Sequence, residues 1–168
     1  MSDRYIDFVN SPLGQLLAKN LGLPAPLALD RFKADAPVVK GAVLVGAAAG
    51  GELTAAITQV LANIKAEVFA AADSAVHGLA SAAGLATVSY APAAEDGQKF
   101  KALVFDASGI TRSDDLIALH SFFSPVIRKL SNSSRIIVIG RTPELCDCPK
   151  HATAQRALEG FTRAIGKE

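Results

Sequence analysis

The chain has 168 residues, of which 50% are hydrophobic, and it carries 17 basic against 16 acidic side chains. This length and apolar content predict one globular domain with a sizeable core and exclude wholesale disorder. The formal net charge of +1 is not the positive excess typical of a nucleic-acid partner, and no apolar run approaches the ~20 residues that cross a bilayer. Two cysteines exclude a disulfide scaffold, and the polar start differs from a secretory leader, so we expect a soluble, cytoplasmic protein.

Residues 1–40 are interpreted as an N-terminal extension, because four prolines surround one short helical candidate at residues 13–21. A proline fixes its own backbone angle and donates no backbone hydrogen bond, so this spacing interrupts regular structure. We expect the extension to wrap the domain formed by residues 41–168, with a separate small domain as the alternative. The prolines are Pro12, Pro24, Pro26 and Pro37.

Five short apolar runs, separated by helix-like stretches, predict five strands. The first, fourth and fifth runs are nearly uniform in apolar character, which is typical of strands covered on both faces of a parallel sheet. The alternation of strand and helix predicts an α/β fold, a three-layer doubly wound parallel sheet with an N-terminal helical extension. The runs are residues 42–45, 66–70, 85–90, 101–106 and 135–140.

Three sets of apolar residues at helical spacing predict the helices between and after these strands. In the second set, Ser113 is expected to cap the helix start, with Asp114 and Asp115 beside the positive end of the helix dipole. Pro125 is expected to kink or break that helix. The sets are Ile57, Leu61 and Ile64; Leu116, Leu119, Phe123, Val126 and Leu130; and Ala154, Leu158, Phe161 and Ile165.

A glycine-rich turn follows the first predicted strand. Gly46, Gly50 and Gly51 would let a nucleotide pyrophosphate approach the backbone N–H groups and the positive end of the next helix. Glu52 opposes this interpretation, because a carboxylate at the mouth repels phosphate and its bulk falls where helix and strand pack closely. No Gly-Lys-Ser or Gly-Lys-Thr follows, which excludes a P-loop. A dinucleotide site and a purely structural tight turn both stay open.

Three stretches resemble the short-chain dehydrogenase/reductase family. Residues 103–111, Leu-Val-Phe-Asp-Ala-Ser-Gly-Ile-Thr, are similar to the family stretch that ends Asn-Asn-Ala-Gly-Ile-Thr. Residues 135–141 resemble the strand that ends at the catalytic serine, and residues 151–168 resemble the helix that begins Tyr-x-x-x-Lys. The leader, residues 8–14 and 21–24, is similar to that of high-molecular-weight 3-oxoacyl-acyl-carrier-protein reductases, which carry a degenerate, flavodoxin-like domain ahead of the catalytic one.

The resemblance implies a Rossmann or flavodoxin-like fold in which the catalytic set is degenerate. His151 occupies the position of the family's tyrosine, Gln155 that of its lysine and Arg141 that of its serine, while Asn-Asn-Ala-Gly has become residues 106–109. A glutamine carries no charge that lowers the pKa of a proton donor. The implied function is therefore a non-catalytic structural and docking domain that binds no cofactor itself, in an NADP(H)-dependent reductase of fatty-acid metabolism whose catalytic domain lies downstream.

The partners that the resemblance implies are the catalytic domain, further copies in a homo-oligomer, and acyl carrier protein, with no nucleic acid and no membrane. Arg135 and Arg141 flank the fifth strand and are candidate contacts to the acidic carrier protein, with solvated surface charges as the alternative. A doubly wound sheet normally continues after an amphipathic helix such as the last one here. We therefore expect the natural polypeptide to be longer than this chain.

Two further functions stay open: a vestigial nucleotide-binding regulatory domain that uses the glycine-rich turn, and an unorthodox active reductase in which His151 is the general acid. Cys146, Cys148 and His151 also suggest a zinc site, but three ligands without a Cys-x-x-Cys pair favour two free thiols. His77 and His120 are interpreted as structural residues.

Overall fold

The structure is a computed structural model that describes residues 4–23, 29–30, 33–93 and 97–167. The chain divides into two compact units, residues 1–36 and residues 37–168. The expected boundary at residue 40 lies four residues from this division. Pro24 and Pro26, which entered the prediction for the extension, lie outside the described residues.

The first unit contains two helices, α1 (Arg4–Val9) and α2 (Pro12–Leu21). The side chain of Ser11 accepts a hydrogen bond from the Gly14 amide at 3.1 Å and caps the start of α2, while Gly22 ends it in the left-handed conformation. The helical candidate at residues 13–21 is thus confirmed. Helix α1 was not predicted.

The second unit is built on a five-stranded, all-parallel sheet with the strand order β3-β2-β1-β4-β5. This confirms the predicted α/β fold with a doubly wound sheet of the Rossmann or flavodoxin type. The fifth strand begins at Leu130 rather than at the predicted Arg135, because it follows β4 through an irregular stretch before regular pairing starts at Arg135. The strands are β1 (Val43–Ala47), β2 (Val68–Ala70), β3 (Thr87–Ser89), β4 (Phe100–Asp106) and β5 (Leu130–Ile139).

Four helices connect or follow the strands: α3 (Thr54–Asn63), α4 (Val76–Ala82), α5 (Ile117–Phe123) and α6 (Pro149–Ile165). Short 3₁₀ turns lie at Ser113–Leu116, Ile127–Lys129 and Pro143–Leu145. No helix in the described part of the chain is both long and apolar enough to span a bilayer.

The predicted break at Pro125 is confirmed, because residues 116–130 do not form one continuous helix. The helix α5 ends at Phe123, two residues before Pro125, whose nitrogen has no N–H to donate to a continuing helix. The prediction that Ser113 caps the helix is wrong. Arg112 precedes the first turn, and the Asp115 carboxylate accepts hydrogen bonds from the backbone N–H groups of Thr111 and Arg112, each at 3.0 Å.

The hydrophobic core lies in two clusters, one on each face of the sheet. One cluster joins the sheet to α5 and α6 through residues such as Leu103, Phe105, Leu119, Phe123 and Leu158. The other joins it to α3 and α4 through Val43, Val45, Ile57, Leu61 and Val76. Two buried faces explain why β1 and β4 read as uniformly apolar runs.

Candidate cofactor turn and catalytic positions

The glycine-rich turn after β1 lies beside the end of β4. Strands β1 and β4 pair in register, with Gly46 opposite Phe105 and Ala47 opposite Asp106. The backbone N–H of Ala48 donates to the carbonyl of Asp106 at 2.8 Å, which extends the pairing one residue into the turn. Because the carboxyl ends of neighbouring parallel strands meet at one edge of the sheet, the Asp106 side chain is brought directly to the turn.

The carboxylate of Asp106 occupies the N–H cradle at the start of α3. Its Oδ2 accepts hydrogen bonds from the Leu53 backbone N–H and from the Thr54 hydroxyl, both at 2.8 Å. Its Oδ1 accepts from the Ser108 hydroxyl at 2.6 Å and from the Ser108 N–H at 3.0 Å. The Ser108 hydroxyl in turn accepts from the Glu52 N–H at 2.8 Å. Two successive N–H groups at the turn are therefore bound by the protein's own side chains.

The position of Asp106 also suits its charge. Burial raises the pKa of this carboxyl, but the hydrogen bonds from Ser108, Thr54 and the Leu53 N–H outweigh burial and lower the pKa below its ordinary value. The negative carboxylate additionally lies at the positive end of α3. A helix start of this kind commonly binds a phosphate, and here an internal anion has taken that place.

A side chain added at Gly46 or Gly51 would clash with neighbouring protein atoms, whereas one at Gly50 would have open space around it. A side chain at Gly51 would place its Cβ 2.8 Å from Oδ2 of Asp106, and one at Gly46 would lie 2.4 Å from the Phe122 ring. Gly50 has a φ of 74° and open space around it, so the backbone conformation requires glycine there. Close packing therefore explains the glycines at positions 46 and 51, and the backbone conformation explains the glycine at position 50.

Glu52 does not obstruct the turn in the way that the sequence suggested. Its side chain is 66% exposed and forms an ion pair with Arg141, which follows β5. The bulk of Glu52 therefore lies outside the contact between helix and strand, and that part of the prediction is wrong. The residue that fills the turn is Asp106, which the apolar pattern of β4 conceals.

Gln155, at the lysine position of the resemblance, is a buried bracket between two loops. Its amide nitrogen donates to the carbonyl oxygens of Ala107 at 2.9 Å and Ile110 at 2.7 Å. Its amide oxygen accepts from the Arg141 N–H at 2.7 Å. Both N–H bonds of the amide and its carbonyl oxygen thus hold the loops after β4 and β5 to helix α6.

His151, at the tyrosine position, lies on the buried face of α6 with Ala154, Gln155 and Leu158. Its side chain is packed so closely that the residue is 8% exposed. The ring nitrogen Nε2 is buried without a hydrogen-bond partner among the described residues. Among the described residues, the imidazole therefore contributes to the fold through packing, and its Nε2 neither donates nor accepts a hydrogen bond.

A shallow groove lies at the same edge of the sheet, between the 3₁₀ turn at residues 113–116 and the start of α6. Its volume is about 470 Å³ and its lining combines polar and apolar surface. His151 is on the opposite, buried face of α6, so the groove does not lead to the imidazole. The lining residues are Arg112, Ser113, Asp114, Pro149, Lys150 and Thr153.

The remaining candidate residues are dispersed. Cys146 is half-buried and Cys148 is exposed, both as free thiols, and no group of three or more His, Cys, Asp or Glu side chains converges on a common point in the part of the chain that the structure describes. His77 lies at the start of α4, where its ring nitrogens contact the Thr87 hydroxyl at 2.6 Å and the Ala71 carbonyl at 2.9 Å. His120 is exposed on α5.

Three residues of the site were missed as a unit by the sequence interpretation: Asp106, Ser108 and Gly109. A Cβ at Gly109 would lie 2.1 Å from the carbonyl oxygen of Ala49, so the loop after β4 packs directly on the glycine-rich turn. The signal that points to them is an acidic residue at the end of an apolar strand, followed by two small residues and a glycine. No protein-family model matches the chain, and no curated protein sequence matches it.

Proposed function

We propose that this chain is a non-catalytic structural and docking domain of a 3-oxoacyl-acyl-carrier-protein reductase of the short-chain dehydrogenase/reductase family. The catalytic, NADP(H)-dependent domain lies downstream in the same polypeptide in this proposal. The observation that carries the proposal is the Asp106 carboxylate in the N–H cradle before α3. A dinucleotide pyrophosphate would have to displace this buried anion and would meet its negative charge.

The two catalytic positions give further support. A family lysine would hold the ribose and lower the pKa of the proton donor, whereas the amide of Gln155 is neutral and fully engaged with three backbone groups. His151 is buried against the α6 face of the core. Because general-acid catalysis needs a group within hydrogen-bond reach of its substrate, a buried imidazole on the core face favours a structural role.

The non-catalytic part of the proposal is tested by calorimetric titration of the purified chain with NADPH and NADP⁺, together with an absorbance assay for reduction of an acetoacetyl thioester. We expect no binding heat and no turnover above the buffer blank. Micromolar affinity would contradict the proposal and favour a regulatory nucleotide site. Turnover that disappears in His151→Ala would favour the unorthodox reductase instead.

The assignment to a reductase is tested separately by sequencing the complete natural reading frame that contains this chain. We expect a second, intact glycine-rich turn followed by Tyr-x-x-x-Lys in the same polypeptide. A reading frame that encodes no such domain would contradict the assignment to a reductase while leaving the cradle observation untouched.

A further inference from the structure

Both cysteines of the chain lie in one short loop, outside the glycine-rich turn and the degenerate catalytic positions. The chain has two cysteines, and residues 146–148 read Cys-Asp-Cys. Cys146 directly follows the 3₁₀ turn at Pro143–Leu145, and Cys148 is the N-cap residue of α6. The two thiols are therefore carried by the two ends of a three-residue connection between helical elements, and the proposed function assigns them no role.

The two thiols differ in exposure and in their contacts. Cys146 is half-buried, and its thiol donates a weak hydrogen bond to the Thr142 carbonyl at 3.6 Å. Cys148 is exposed, and within the described chain its side chain makes no capping hydrogen bond to the start of α6. Exchange with a disulfide in solution needs an accessible sulfur. Cys148 therefore offers the sulfur that a dissolved disulfide reaches, whereas Cys146 is partly shielded.

The backbone of the loop allows the two sulfurs to meet. Cys146 and Cys148 both have extended backbone conformations, with φ and ψ of −84° and 144° at Cys146 and of −149° and 160° at Cys148. A straight chain would separate their Cα atoms by about 7 Å at most, close to the upper end of the ~4.4–6.8 Å that disulfides span. The chain also bends at residues 146–148. Rotation of the two side chains and a small change in the loop are therefore enough for a bond.

We propose that Cys146 and Cys148 form a reversible disulfide by exchange with a low-molecular-weight disulfide of the glutathione type. Cys148 is the attacking sulfur because it is exposed, and Cys146 is the resolving sulfur because it lies two residues away on the same loop. The loop before α6 is then a redox-sensitive modification site. The free thiols of the present structure represent its reduced form.

The exchange proceeds in two steps. The Cys148 thiolate attacks one sulfur of glutathione disulfide, the disulfide bond of glutathione breaks, and the first glutathione leaves as a thiolate that takes up the proton lost by Cys148. The sulfur of Cys146 then attacks that of Cys148 within the same chain, which releases the second glutathione with the proton of Cys146. Two electrons pass from the cysteine pair to glutathione disulfide, so one protein disulfide and two reduced glutathione molecules result.

The bond would join two elements that already contact each other. Glu144, in the 3₁₀ turn, forms an ion pair with Arg156 on α6, so both ends of the loop are held in place in the reduced chain. Oxidation therefore changes the loop at residues 146–148 and leaves α6 in position. This inference goes beyond the proposed reductase function and does not depend on it, since it rests on the two thiols and their loop.

The test incubates the full chain with mixtures of reduced and oxidised glutathione, quenches with acid, alkylates the remaining thiols and measures the mass. We expect a monomer that has lost two hydrogens, carries no glutathione and returns to the dithiol with dithiothreitol. The oxidised fraction should follow the ratio of glutathione disulfide to the square of reduced glutathione. A wild type that stays reduced in excess glutathione disulfide, keeps a stable glutathione adduct or forms disulfide-linked dimers would overturn the proposal.

Two single substitutions assign the roles of the sulfurs. Cys146→Ser keeps the exposed thiol but removes the resolving sulfur, so we expect it to accumulate the mixed disulfide with glutathione. Cys148→Ser keeps only the half-buried thiol and should react more slowly by about threefold or more, because its sulfur is less accessible. Equal rates in the two variants, or faster reaction of Cys148→Ser, would contradict Cys148 as the attacking sulfur.

A second measurement separates the contribution of the fold from that of the Cys-Asp-Cys spacing alone. The same exchange is run on the folded wild type and on the wild type unfolded in urea, at one glutathione ratio. We expect the oxidised fraction of the folded chain to be at least as high, because helical elements hold both ends of the loop. A lower fraction in the folded chain would show that the native loop opposes the bond and would overturn the proposal.

Discussion

The glycine-rich turn and the start of α6 differ in how the hydrogen-bonding groups of their buried polar side chains are satisfied. At the turn, the Asp106 carboxylate accepts four hydrogen bonds. The backbone N–H groups of Glu52 and Leu53, which could otherwise bind a phosphate, donate to the side chains of Ser108 and Asp106. On α6, Gln155 is equally satisfied, whereas Nε2 of His151 is buried and unpartnered in the described structure. Two of these three polar side chains stabilise the fold through hydrogen bonds, and the third only through packing.

The largest effect should come from Asp106, because its loss leaves several buried donors without an acceptor. We expect Asp106→Leu to lower the free energy of unfolding by about 3 kcal/mol or more, since each unsatisfied buried donor costs ~1–3 kcal/mol. Asp106→Asn keeps one acceptor oxygen and should cost less, about 1.5 kcal/mol. Urea unfolding followed by circular dichroism measures both. If Asp106→Leu is as stable as the wild type, the hydrogen bonds to Asp106 do not stabilise the turn, and the two regions do not differ in this respect.

The next effect concerns Gln155. Gln155→Met preserves the length and packing of the side chain but removes all three hydrogen bonds to the loops, so we expect a loss of roughly 2 kcal/mol. The matched control is Gln59→Met on the exposed face of α3, where a surface substitution should change stability by no more than about 0.5 kcal/mol. Equal effects in the two variants would show that the bracket does not hold the loops.

Acid should weaken the turn through Asp106. The pKa of this carboxyl is lowered in the folded state from the ordinary value of 3.8, so the unfolded state binds the proton more readily. Its stabilising contribution is therefore complete above that ordinary value and is lost as the pH falls through it toward the folded pKa. We expect wild-type stability to fall more steeply below pH ~4 than that of Asp106→Asn. Parallel pH profiles would contradict this role.

The smallest effect is expected at His151. Replacing a buried polar group that has no partner by an apolar one of similar shape is nearly neutral or stabilising, so His151→Leu should change the free energy of unfolding by at most ~1 kcal/mol, in the stabilising direction. Leu158 has the same 8% exposure on the same helix face, and Leu158→Ala should cost ~2–5 kcal/mol. A large loss of unfolding free energy in His151→Leu would contradict this prediction and indicate that the imidazole forms a stabilising hydrogen bond.

Most of the fold could be predicted from local patterns. The apolar runs at residues 42–45 and 101–106 became β1 and β4 almost to the residue, since both of their faces are buried. Helix α6 followed its apolar stripe. Helix α4 was missed, because its alanine-rich sequence has little hydrophobic contrast between faces. The start of β5 was missed because polar residues 131–134 lie in a bulge, where side-chain alternation does not apply.

The candidate site was harder to predict, since its residues are adjacent through sheet pairing and not through sequence. The glycines and the degenerate positions Arg141, His151 and Gln155 were identified from spacing and resemblance. The role of Asp106 depends on β1 and β4 being neighbours, although β2 and β3 separate them in the chain. Glu52 was taken as the obstruction because it follows the glycines in sequence, but its side chain points to solvent and to Arg141.

The amino-acid sequence by itself determined where most of the strands and the helices α3 and α6 form, because hydrophobic periodicity and backbone preference are local properties. It also determined that a glycine-rich turn follows the first strand directly. Only the tertiary structure decided that the anion at that turn is the protein's own carboxylate and that β5, among the described strands, pairs with β4 alone. Both depend on which strands become neighbours, and pairing between distant segments is set by the packing of the whole sheet.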